Sequence, residues 1–135
     1  MARIGPGLCV FCAVGEGDGP ADVAYLADKL VHLRVFPAEA GATGPARLSR
    51  SLLQVGGELL LIPQFTLYGD ARRGRRPDFT AAAVPERGRV LLAELASALR
   101  AHAVALAEGV FGADMEIALV NSGPVTILLD SRRVF

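Results

Sequence analysis

The sequence predicts an α+β fold: a single domain with a mainly antiparallel sheet and two helices packed on it. Three observations lead there. The chain has 135 residues, a length that suits one domain with a real core. Hydrophobic residues make up 52% against 21% charged, so the composition is globular and not disordered. Long strand-like apolar runs are separated by two stretches with helical spacing and by loops rich in Gly and Pro. No internal repeat or second domain is apparent, so the domain is taken as 1–135.

The first element is "GLCVFCAV", residues 7–14, read as a buried strand after the turn-like Gly5-Pro6-Gly7. It contains Cys9 and Cys12 as C-x-x-C. Residues three apart in a strand point to opposite faces, and no helix N-terminus is indicated to activate a thiol. Free thiols in a reducing compartment are therefore expected. Gly15, Gly17 and Gly19 follow the strand, but as G-x-G-x-G ahead of a proline. That spacing suits a tight connection better than a dinucleotide loop.

Pro20 opens a helix expected over 20–34, since a first-turn proline gives up no needed N–H. Val23, Leu26, Leu30 and Leu33 form its apolar stripe. Residues 37–50, rich in Ala, Gly, Pro and Thr, read as a surface loop, and Gly56-Gly57 as a turn. "ELLLIPQFTLYGD" follows as a long strand interrupted at Pro63, where an edge, a bulge or a strand end is required. A second helix is expected from about Pro85 to His102, with Leu91, Leu95, Ala98 and Leu99 inward. "GVFGADMEIALVNSGPVTILLD" then reads as two strands around the interruption "NSGPVT".

Charge and composition narrow the function classes. Fourteen basic and fourteen acidic side chains cancel, which argues against coating nucleic acid along its length but allows a local patch. No run of 18 apolar residues or signal-like start is present, so a cytoplasmic protein without a membrane partner is expected. There is no G-x-S-x-G elbow. His32 and His102 lie in or at the ends of helices, where a histidine usually has a structural role. Two scattered histidines and two strand cysteines make a zinc site improbable, and no metal or cofactor is expected. Asp114 and Glu116, two apart, read as a solvated strand face.

Two segments carry polar groups where core is otherwise expected. In "PQFTL", 63–67, Gln64 and Thr66 share one face of an extended segment, alternating with Phe65 and Leu67. They are either solvent-side residues or groups able to fix a carbonyl, a ribose or an ester. In "NSGPVT", 121–126, Asn121 and Pro124 suit an ordinary turn. A cis Gly–Pro bond is the other reading, with the Gly123 carbonyl offered to a ligand. A third feature is "ARRGRRPDF", which sets Arg72, Arg73, Arg75 and Arg76 around Gly74. Such clustering in a neutral protein suggests phosphate contacts.

Taken together, these motifs resemble the D-aminoacyl-tRNA deacylases, which hydrolyse D-amino acids esterified to tRNA. That family carries Ser-Gln-x-x-Leu and Asn-x-Gly-Pro-Val-Thr signatures. The corresponding stretches are Pro63-Gln64-Phe65-Thr66-Leu67 and Asn121-Ser122-Gly123-Pro124-Val125-Thr126, supported by 72–80 and 109–126. The resemblance runs from about Ile4 to Ser131. It implies a homodimer, barrel-like in its assembly, acting on the aminoacylated 3′ end of tRNA, not on DNA. Gly123 and Pro124 would form a cis pair that enters the partner's site and rejects L-amino acids while passing glycine. Asn121 and Thr126 would pin that loop. Gln64 and Phe65 would lie at the scissile ester, with a backbone N–H as oxyanion donor. Thr66 would match a threonine once proposed as nucleophile. Phe111, Ala113 and Met115 would line the adenosine end, and the terminal 2′-hydroxyl would replace a protein base.

Two departures accompany the resemblance. Pro63 stands where the family has Ser, a feature shared with a paralogous branch that removes L-alanine from mischarged tRNA. Members of the family also begin earlier, with a strand and hairpin arm that this sequence lacks, which would expose a sheet edge. The L-alanine activity is one alternative. A non-catalytic dimer holding tRNA 3′ ends is another, and a pure assembly protein a third.

Overall fold

A computed structural model describes residues 1–135. Strand β1 is Gly7–Cys12, and helix α1 is Pro20–His32. Strand β2, Arg34–Phe36, leads through a 3-10 turn at Gly44–Leu48 to strand β3, Arg50–Ser51. A single-turn helix α2, Leu52–Val55, precedes strand β4, Glu58–Pro63. A second 3-10 turn, Phe65–Tyr68, a long loop, helix α3 at Pro85–Ala101 and strand β5 at Ala105–Glu108 complete the regular structure.

The α+β class with helices packed on a sheet holds, but the sense of the sheet is corrected. The main sheet has the order β1-β4-β5, and both pairings are parallel. The one antiparallel ladder is the short β2–β3 pair. The reason is connectivity. A helix between two strands returns the chain to the end where it started, so consecutive strands of the sheet run the same way. A third helix, α2, joins the two expected; Ser51 caps it, accepting from Gln54 N–H at 3.2 Å, and Gly56 ends it at φ +63°.

Helices α1 and α3 pack side by side on one sheet face. Leu59 and Leu61 of β4 meet Ala27, Leu30 and Val31 of α1 and Leu92, Leu95, Ala96 and Leu99 of α3 in one buried cluster. Each fully buried leucine contributes about 1.5–3 kcal/mol. Leu8, Val10 and Cys12 point into this layer from β1, while Phe11 stays 41% exposed on the opposite side. Pro63 ends β4, as a residue without a ladder donor must.

The expected C-terminal strands are a second correction. Residues 109–135 contain no strand, and β5 precedes them at 105–108. Between residues 114 and 130 no backbone N–H reaches a backbone acceptor. Val120, Ile127 and Leu128 are exposed. A strand is defined by its partner's backbone, and no neighbouring strand runs beside this segment. The outer edge of β1 is likewise unpaired. An open groove of about 3050 Å³ separates the two, lined by β1 and by much of 109–131.

Candidate active site

The site begins where β4 runs out. Gln64 N–H still donates to the Cys12 carbonyl at 2.8 Å, tying the first residue after the strand to β1. The chain then tightens. Leu67 N–H donates to Gln64 and Gly69 N–H to Thr66, at 3.1 and 2.9 Å. The extended geometry expected for 63–67 is therefore corrected to a 3-10 turn. Gln64 and Thr66 nevertheless converge, since the Gln64 Nε2 amide donates to Thr66 Oγ1.

The first N–H groups of a helical turn have no partner within it. Here Phe65 N–H and Thr66 N–H donate to no acceptor in the chain. They lie at an exposed point: Phe65 is 60% and Leu67 56% exposed. Free amide donors beside a side-chain amide and a hydroxyl can stabilise negative charge developing on an oxygen. No histidine, lysine or carboxylate hydrogen-bonds to Thr66.

Phe79, inside the 72–80 stretch but given no role by its sequence, packs edge-on against Phe65 with ring centroids 5.2 Å apart. Its one signal is its place in that stretch, after Pro77 and Asp78 at the end of the arginine cluster. The loop carrying those arginines is closed at its neck by two Asp70–Asp78 backbone bonds of 2.7 and 2.9 Å. Gly74, at φ +66°, makes its turn. Arg72 is not free: its guanidinium pairs with Asp70 at 2.6 and 2.9 Å, and the pair holds the Asp70 carboxyl down at about 2. Arg73, Arg75 and Arg76 make no ion pair and project into solvent.

The 121–126 loop stands apart from this turn, with no hydrogen bond joining the two. The Gly123–Pro124 bond is cis, the second of the two readings open to the sequence, and Gly123 has φ +144°, a region glycine favours. Asn121 Nδ2 donates to Thr126 Oγ1 at 3.4 Å, so the two flanking residues do meet. Asn121, Gly123 and Thr126 line the open groove, whereas Gln64, Phe65 and Thr66 lie outside it. Arg47, which carries no signal in the sequence, lies against Gly123.

Of the three residues expected at the adenosine end, Phe111 turns toward α3. Its ring faces Gly88 and stacks under the Arg89 guanidinium at 4.9 Å. Met115 lies over Gly109, and Ala113 and Met115 line the groove. Asp114 and Glu116 are exposed on an irregular segment and share no strand face.

The glycines after β1 serve the connection. Gly15 packs against the Tyr68 hydroxyl, and Asp18 accepts from Gly15 N–H at 2.7 Å. Arg132 reaches back to Asp18 at 3.1 Å and to the Glu16 carbonyl at 2.6 Å. Burial raises both thiols, Cys12 to about 11 with the Asp18 charge adding to the effect.

The domain is thus an α+β protein whose helix-backed sheet ends in an exposed turn with free amides. Comparison with known proteins specifies it further. A family model described as D-Tyr-tRNA(Tyr) deacylase matches residues 1–130. The chain belongs to that family. It is 50% identical over 135 residues to a D-aminoacyl-tRNA deacylase of Desulforudis audaxviator (strain MP104C), covering all of this chain and 87% of that one. A D-aminoacyl-tRNA deacylase of Heliobacterium modesticaldum (strain ATCC 51547 / Ice1) is 46% identical over 132 residues, 98% of this chain and 85% of the relative. Among solved structures, the c-Myc DNA Unwinding Element Binding Protein superposes with a TM-score of 0.84 at 32% identity. That match covers 94% of this chain and 83% of the other. No helix is long and apolar enough to cross a membrane.

Proposed function

We propose that this chain hydrolyses the ester bond of D-aminoacyl-tRNA, releasing the D-amino acid and free tRNA. The observation that carries the reading is the Gln64–Thr66 turn. It offers two free backbone N–H groups and a side-chain amide within three residues, in a chain 50% identical to a named deacylase over its whole length. The ester carbonyl docks on the Phe65 and Thr66 amides, and Gln64 orients the terminal ribose. Water adds to the carbonyl carbon, and the amides hold the oxyanion that forms. Collapse breaks the bond to the tRNA 3′-oxygen. Proton transfer is assisted by the neighbouring 2′-hydroxyl of the substrate, because no protein base stands at Thr66.

The working unit is a homodimer in the cytoplasm, where charged tRNA is found. The 121–124 loop of one protomer completes the partner's site, its Gly123 carbonyl accepting from the α-ammonium of the D-amino acid. An L side chain meets the loop backbone instead, whereas glycine, lacking one, passes. Discrimination of this kind can exceed the roughly 1–3 kcal/mol available from one methylene. Asn121 and Thr126 hold the loop's ends, Ala113 and Met115 contact the terminal adenosine with Phe111 behind them, and Arg73, Arg75 and Arg76 contact phosphates. Both relatives described above are named for D-aminoacyl substrates, which favours this reading over removal of L-alanine.

The test is release of amino acid from matched D- and L-aminoacyl-tRNA, with the oligomeric state measured on the same sample. D-selective turnover by a dimer is expected. Binding of tRNA without turnover would instead identify a module that only holds 3′ ends.

A further inference from the structure

The 121–126 loop has little to hold it. Its backbone makes no backbone hydrogen bonds, and its internal side-chain bond is 3.4 Å long. Yet a Cβ built on Gly123 would lie 2.7 Å from Arg47 Nη2, nearer than any other atom. Arg47 comes from the 3-10 turn Gly44–Leu48, far away in sequence. That turn is itself pinned: Ala38 N–H donates to Ala46 and Ser49 N–H to Phe36, at 2.8 and 2.9 Å. Ser49 Oγ also donates to the Ala46 carbonyl at 2.8 Å. Arg47 is half-buried, enters no ion pair and makes no hydrogen bond in the chain. The far end of the Arg47 side chain, carried on this pinned turn, therefore rests against the Cα face of the glycine, where a side chain at 123 would have to displace it.

We infer that Arg47 is the positioning residue of the Gly123–Pro124 loop: it sets where the Gly123 carbonyl stands, and so how sharply D- is separated from L-aminoacyl substrate. The inference rests on the proposed role of that loop. It gives Gly123 two separate reasons to be glycine. One is its φ of +144°, which any L side chain resists wherever Arg47 is. The other is the contact with Arg47, which vanishes when that side chain is removed.

This difference makes the contact measurable without substrate. Parent, Gly123→Ala, Arg47→Ala and the double variant form a thermodynamic cycle. The backbone cost of Gly123→Ala appears in both backgrounds, whereas the clash appears only where Arg47 remains. The drop in Tm caused by Gly123→Ala should be smaller in the Arg47→Ala background. Equal drops would overturn the contact.

The second readout is the ratio of kcat/KM for D- and L-aminoacyl-tRNA. Arg47→Ala should lower it by about tenfold or more, the scale of one misplaced hydrogen bond, with Tm nearly unchanged. Arg47→Lys, which keeps length and charge, should recover part of the ratio, and Arg47→Met less. A coupled cycle with an unchanged ratio would overturn the positioning role. Absence of deacylation in every variant, parent included, would count against the proposed function while the cycle still decides the contact.

Discussion

The Gln64 side-chain amide donates to the Thr66 hydroxyl across a single intervening residue. That bond turns two side chains of one short segment into a unit. It also occupies one of the two lone pairs of the hydroxyl oxygen, which makes that oxygen a weaker nucleophile. In the proposed mechanism Thr66 therefore supports Gln64 and does not attack.

Thr66→Ala should keep deacylation within about tenfold of the parent, because it removes one hydrogen bond worth about 1 kcal/mol. Gln64→Ala should reduce it by about a hundredfold, the scale seen when an oriented polar group at the reacting centre is removed. Single-turnover kinetics on the two variants check this. A covalent aminoacyl adduct trapped on Thr66 would reverse the assignment.

The arginine loop divides into one neutralised and three free cations, since Asp70 holds Arg72. Arg75→Ala and Arg76→Ala should each weaken tRNA binding and flatten its dependence on salt. The log–log slope should fall by about 0.7–0.9 for each phosphate that is no longer neutralised. Asp70→Asn should act in the opposite direction by releasing Arg72. Filter binding across a salt series measures both, and slopes that do not move would place the tRNA elsewhere.

Asp22 accepts from Gly19 N–H at 2.8 Å at the start of α1. That bond first, and then the Ser131 side chain, holds its carboxyl below the usual range. A carboxylate with a lowered folded-state pKa contributes stability above its unfolded value, near 4, and loses it as pH falls through the folded value. Asp22→Ala should therefore lower stability at pH 7, and progressively less below pH ~4. Denaturant unfolding at the two pH values tests the sign.

Cys12 is buried in the sheet and its thiol is raised to about 11. In the native protein at pH ~7.5 it should alkylate more than about a hundredfold more slowly than free cysteine. Cys9, only half-buried, should react first. Mass spectrometry of iodoacetamide-treated protein, with and without denaturant, gives the order. Fast native labelling of Cys12 would revive a redox role for the C-x-x-C pair.

Much of this molecule can be read from local pattern. Pro20 and Pro85 mark both long helices to within a residue of their observed starts, because a proline at the first turn is a local preference. The leucine stripes name the core, since helical spacing alone decides which face is apolar. Pro63 ends its strand for want of a donor. The motifs at 63–67 and 121–126 likewise announce themselves by polar residues inside apolar runs. What the tertiary structure decided is everything that depends on a distant partner. The sheet is parallel because helices carry the chain back between strands. Residues 114–130 form no strand, although their pattern is right, because no neighbouring backbone is there to pair with them. Arg47 meets Gly123 only because two segments that carry no common sequence signal are folded against each other. Local preferences act over a few residues, whereas ladders and contacts require two stretches of chain to arrive at the same place.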